Sequence, residues 1–116
     1  MNNEYAHSAA LAECDEISLE ISSESALVTL RGEIDIEIRP FFRRVLESLR
    51  KFAGEISIDA ADVTFIDSSG IAVLGEIANE HPNHVTVLNA PPTMMFILEV
   101  TSLVDAVRIC DTEATA

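Results

Sequence analysis

Val63-Thr64-Phe65-Ile66-Asp67-Ser68-Ser69-Gly70-Ile71 runs from an apolar segment through Asp-Ser-Ser-Gly directly into a helical pattern. From Ser68 to about Glu80, Ile71, Leu74, Ile77 and Ala78 fall on one face, the spacing of an amphipathic helix. Asp67 and Ser68 both suit its start, since a short side-chain oxygen can accept from the free N–H groups of a first turn. A strand feeding a capped helix is half of a β-α-β unit, and the flanks supply the other strands. Upstream, Gly54 is followed by Glu55-Ile56-Ser57-Ile58-Asp59-Ala60, a strand pattern. Downstream, His84-Val85-Thr86-Val87-Leu88 is a β-branched strand. Asn89-Ala90-Pro91-Pro92 then leads into a third helix over Thr93 to Val100.

Towards the N-terminus, Ile38, Phe41, Phe42, Val45, Leu46, Leu49 and Phe52 recur at helical steps, with Pro40 suited to the first turn and Gly54 read as the helix stop. The outer face of this helix carries Arg39, Arg43, Arg44, Arg50 and Lys51. It reads either as a solvated face braced by Arg43–Glu47–Lys51 pairs or as a basic patch for a partner. Glu16 to Ser22 alternates polar and apolar residues, and Ala26 to Arg31 forms a second strand, ended by Gly32. The short Ser23-Glu24-Ser25 link makes these an antiparallel hairpin. Residues 1–13 lack periodicity and read as a disordered tail, leaving 14–112 as the domain. Leu103, Val104 and Val107–Ile109 close the chain as a short helix or strand. The order β-β-α-β-α-β-α implies a single α/β domain with a mixed sheet covered by amphipathic helices.

Composition bounds the function. The chain has 116 residues, one domain's length, and its 48% hydrophobic content supplies a core. Its formal net charge of −13 disfavours nucleic acid and anionic membrane surfaces as direct partners. No signal peptide or membrane span is legible, which points to a soluble cytoplasmic protein. His7, His81 and His84 match no metal spacing, and His81 and His84 flank Pro82-Asn83 as solvated turn residues. No metal or cofactor is expected. Cys14 and Cys110 read as reduced thiols, with a redox-controlled bridge between the termini as the sharper alternative.

For Asp67-Ser68-Ser69-Gly70 itself three readings arise. The plainest is a well-capped helix. A second is a phosphorylation site, because a helix N-terminus offers free N–H donors and the positive end of the macrodipole to a phosphate. A catalytic serine is the third, but Ile66 stands where a nucleophile elbow has glycine and no base is assignable, so no enzymatic activity is expected.

Gly32-Glu33-Ile34-Asp35 together with Asp67-Ser68-Ser69-Gly70-Ile71 resembles the paired signatures of STAS domains, and among them the anti-sigma factor antagonists (anti-anti-sigma factors) of bacteria. The likeness continues through Asn89-Ala90-Pro91-Pro92-Thr93 and Phe96 to Leu103, covering roughly residues 15–110. It implies a protein that binds an anti-sigma factor serine kinase of the histidine-kinase-like ATPase fold and so frees a sigma factor for transcription. Phosphorylation of Ser68 by that kinase would end binding, and a PP2C-type phosphatase would restore it. By the same resemblance Asp35 would pair with a basic kinase residue, Asp67 would position the acceptor, and Ser69, Gly70 and Ile71 would form the contact rim. The chain departs from the family at Ser102, where glycine is usual in a left-handed turn, and at Thr93-Met94-Met95, where basic residues are usual. Two other roles fit the resemblance: a STAS accessory subunit of a lipid-transport ABC system that is never phosphorylated, and a small-ligand or nucleotide sensor. The second lacks any glycine-rich phosphate loop.

Overall fold

The computed structural model describes residues 9–112. Its elements are β1 (Ala9–Cys14), β2 (Ile17–Ile21), β3 (Ser25–Ile34), α1 (Arg39–Leu49), β4 (Glu55–Ile66), α2 (Ser68–Glu80), β5 (Val85–Leu88), α3 (Pro92–Val100), a 3-10 turn at Leu103–Asp105 and β6 (Arg108–Cys110). The six strands lie in sequence order across one sheet. β1, β2 and β3 pair antiparallel, while β3, β4, β5 and β6 pair parallel across the three helical crossovers. The expected mixed α/β sheet is therefore present, with one strand more at the N-terminus.

That extra strand takes in residues 9–13 of the stretch expected to be a disordered tail. Ala9–Cys14 forms β1, in register with β2 from Ala9↔Ile21 to Cys14↔Ile17. Alanine-rich segments give no alternation, so pairing here comes from the free edge of β2 and not from a local pattern. Residues 1–8 lie outside the described residues.

One sheet face is dry. Ile17, Leu19, Ala26, Val28, Leu30, Ile56, Ile58, Val85 and Val87 are buried on it, against Phe42, Val45, Leu46 and Leu49 of α1, Val73, Leu74 and Ile77 of α2, and Met94 and Leu98 of α3. The alternate residues Ser18, Thr29, Ser57, Asp59 and Thr86 are half-buried on the opposite face. Of the methionine pair, Met94 is buried and Met95 packs against the core.

Glycine marks two departures from the sequence reading. Gly32 does not end β3; it sits inside the strand at φ 73°, a left-handed bulge residue from which pairing with β4 resumes at Glu33↔Phe65 and Ile34↔Ile66. Gly54 does not stop α1, which ends at Leu49. It lies against the β2–β3 turn, where an added Cβ would overlap the Glu24 carbonyl oxygen.

Arg43 and Arg50 reach across to α2. Arg43 grips Glu76 of α2 at 3.0 Å and Arg50 reaches Glu80 at 3.3 Å, so part of the basic face tethers one helix to the next. These are half-exposed pairs of small individual worth. His81 is buried, not solvated: it caps the end of α2, its backbone N–H bonding the Ile77 carbonyl, and its Nε2 has no partner among the described residues. His84 is exposed and bonds Glu55 at 2.7 Å. Cys14 and Cys110 stand on the two outermost strands, five strand spacings of about 4.8 Å apart, so the bridge between termini is excluded within one chain.

Ser102 has φ 64°, the left-handed geometry expected where the family carries glycine, and its N–H bonds the Glu99 carbonyl at the end of α3. Ser102→Gly is expected to raise stability by about 0.5–1 kcal/mol, since the conformation strains a residue with Cβ. Urea denaturation checks this; an unchanged or lower midpoint counts against it.

Candidate functional site

The site is built at the C-terminal ends of β3 and β4. β4 carries extra residues relative to β3, with Arg31 opposite Asp62 and Glu33 opposite Phe65. These bulges break the two-residue alternation: Val63 and Ile66 face the core, whereas Asp62, Thr64 and Phe65 face out. The buried Ile34–Ile66 pair then fixes where both strands turn. After Ile34, Asp35 folds the chain into α1: its Oδ1 accepts from the Glu37 N–H at 3.0 Å and its carbonyl accepts from Ile38 at 3.0 Å. After Ile66, the Asp67 N–H donates to the Ile34 carbonyl at 3.2 Å, so the two signature loops are stitched together.

Asp67 is extended (φ −104°, ψ −174°) and caps α2. Its Oδ1 accepts from the Ser69 N–H at 2.9 Å, the Gly70 N–H at 3.2 Å and the Ser69 hydroxyl at 2.6 Å. The Ser69 hydroxyl bond is the main reason its carboxyl titrates below the ordinary aspartate value; partial desolvation opposes this, and the Gly70, Ser69 and Ile36 N–H groups reinforce it. Gly70 is buried because a Cβ there would meet Ile66 at 2.9 Å and Ile34 at 3.1 Å, so its absence lets the helix start press onto the strand ends.

The six expected site residues thus divide. Ser68 is exposed at the first position of α2, and Asp35, Asp67 and Ser69 are half-buried around it. Gly70 and Ile71 are buried, Ile71 at 6% exposure, so they hold the site from beneath instead of forming its rim. Motif spacing does not distinguish these roles, because a capped first turn buries some positions and exposes others. The first-turn donors that the phosphorylation reading offers to a phosphate are in part already engaged. The Asp67 carboxylate takes those of Ser69 and Gly70, and its carbonyl takes that of Ile71. A phosphate on Ser68 would stand beside a carboxylate and project outward. Ile36 and Phe65, 63% and 52% exposed, are site neighbours that sequence reasoning misses. The run Val63-Thr64-Phe65-Ile66 hides the exposure of Phe65 unless the bulge is known.

Asp67→Ala is expected to cost about 1–2 kcal/mol through loss of the cap. In the wild type the cap is complete above the ordinary aspartate pKa and is lost as pH falls through the lower folded value. Asp67→Asn, which still caps, should flatten that acid limb. Melting curves between pH 2 and 6 (roughly the carboxylate range) decide it: identical limbs for the Asp67→Asn variant and wild type would remove Asp67 from acid unfolding.

The family model for the STAS domain matches residues 16–116. The chain belongs to the STAS family. Solved structures agree on the fold of this STAS domain. An anti-sigma factor antagonist from Mycobacterium paratuberculosis superposes with a TM-score of 0.74 at 18% identity, over 90% of this chain and 92% of that one. The phosphorylated form of SpoIIAA, a Bacillus cell fate determinant, gives 0.67 at 20% identity over 84% and 92%. The anti-sigma factor antagonist SpoIIAA in its unphosphorylated form gives 0.60 at 22% over 85% and 89%. No curated protein sequence matches the chain. Among the described residues no helix is long and apolar enough to cross a membrane, and no three His, Cys, Asp or Glu side chains are grouped to hold a metal.

Proposed function

We propose that this STAS domain is an anti-sigma factor antagonist that binds an anti-sigma serine kinase and is released when that kinase phosphorylates Ser68. The observation that carries the reading is the contrast between two adjacent hydroxyls. Ser68 is exposed, whereas the Ser69 hydroxyl is tied to Asp67 at 2.6 Å. A kinase meets one serine ready to accept and one already engaged in the cap. Phosphorylation adds roughly −1.5 to −2 charges outside a core that does not include Ser68, so the surface changes while the fold persists. The protein itself performs no catalysis in this scheme. A PP2C-type phosphatase reverses the mark, and Asp35, stitched to the same corner through Ile34, supplies charge for a basic group of the kinase.

Incubation with the cognate kinase and ATP, followed by peptide mass analysis, tests this. The expected result is one phosphoryl group on Ser68 and none on Ser69. No modification of Ser68 would remove the switch and favour a constitutive STAS subunit.

A further inference from the structure

We infer that Ile36 and Phe65 form an apolar anchor that seats in a cleft of the kinase, a cleft rimmed by lysine or arginine; the inference rests on the proposed function and specifies its contact. Large exposed apolar side chains among the described residues are Ile36, Phe65, Phe96 and Val100. Single exposed apolar residues are ordinary on a protein surface. Position sets the first two apart. Ile36 follows Asp35, two residues after Ile34, whose carbonyl takes the Asp67 N–H at 3.2 Å. Phe65 stands two residues before Asp67 and beside Glu33 in the strand register. They thus bracket the Asp67–Ser68 turn, one from each loop.

The rim is predominantly acidic. Glu33, Glu37 and Asp62 are exposed there and Asp35 and Asp67 are half-buried, against Arg31, in register with Asp62, and Arg39, whose N–H bonds the Ile36 carbonyl at 3.3 Å. Such a rim fits a basic partner and steers it during encounter. It also constrains how a phosphate can act. Against a basic rim, added negative charge alone would favour binding. Loss of binding must then come from desolvating a dianion beside an apolar contact, and Ile36 and Phe65 are the side chains that create one.

Calorimetry against the ATP-loaded anti-sigma serine kinases of the source genome tests the anchor. Ile36→Ser and Phe65→Ser should each weaken binding roughly ten- to a hundredfold, Phe65→Leu should retain most of it, and Phe96→Ser on α3 should change nothing. The substituted side chains are exposed, and a melting curve for each variant verifies that the fold is kept. Binding by wild type with unchanged affinity in both serine variants overturns the anchor alone. Equal loss in Phe96→Ser overturns it too, by removing its location. Failure of wild type to bind any of these kinases overturns the proposed function, and the anchor with it.

Discussion

A Ser68→Asp protein is expected to melt within about 3 °C of wild type yet bind its kinase roughly a hundredfold more weakly. The small effect on folding follows from position. Ser68 is exposed and opens α2, where a negative charge meets the favourable end of the helix dipole and the unfavourable Asp67 carboxylate at once. The large effect on binding follows from geometry. The Asp67 carboxylate already holds the Ser69 and Gly70 donors, so a new anion at Ser68 cannot retire into the helix and is presented to the partner. A hundredfold loss corresponds to about 3 kcal/mol, within reach of one anion desolvated at an interface. Ser68→Ala should bind as wild type does and resist phosphorylation. Equal affinity of Ser68→Asp and wild type by calorimetry would show that charge at this position is not the switch.

Gly54→Ala should have the largest effect on stability, about 3 kcal/mol, lowering Tm by on the order of 10 °C for a domain of this size. The new methyl would overlap the Glu24 carbonyl oxygen and stand 2.6 Å from its carbon, with Phe52 at 2.8 Å. Those first two atoms are backbone in the β2–β3 turn and cannot rotate away. That turn is itself fixed: the Ser22 N–H donates to the Ser25 carbonyl at 2.8 Å, and the Glu55 N–H donates to the Glu24 carbonyl at 3.1 Å as β4 begins. Relief therefore requires moving the hairpin off β4 and losing the Glu55 bond. Differential scanning calorimetry measures the outcome, and an unchanged Tm would mean that the turn gives way without cost.

These two residues illustrate what is legible in the sequence. Ser68 is identified by a local motif, because a cap followed at once by an apolar stripe specifies a helix start whatever surrounds it. The same holds for α1, α2, β2 and the apolar core of β4, where periodicity and burial coincide. Gly54 reads as a helix stop because glycine is equally suited to several local roles; its close approach to Glu24 is a contact between segments 30 residues apart. The misreading of His81 has the same origin. Its neighbours Pro82 and Asn83 mark a turn, but the ring is buried by the end of α2. β1 escapes a sequence reading because it lacks alternation, and the outward Phe65 does so because bulges in β4 are visible in pairing with β3 and not in composition. At the site, Asp35, Asp67, Ser68 and Ser69 are legible as candidates, whereas the division between exposed Ser68, engaged Ser69 and buried Gly70 and Ile71 requires the packed first turn.

The net charge of −13 gains a sharper meaning from this arrangement. Nine acids and one base fall within residues 1–37, and part of that excess borders Ser68 as Glu33, Asp35 and Glu37. In the proposed scheme overall attraction to a basic partner would survive phosphorylation, so release would have to be a local event at the helix start.

The most direct measurement is a calorimetric titration of the ATP-loaded kinase with one preparation of this protein in three states: unmodified, phosphorylated on Ser68, and returned to the first state by a PP2C-type phosphatase. The account predicts binding, loss of at least about a hundredfold in affinity, and full recovery. Equal affinity in all three states would contradict it.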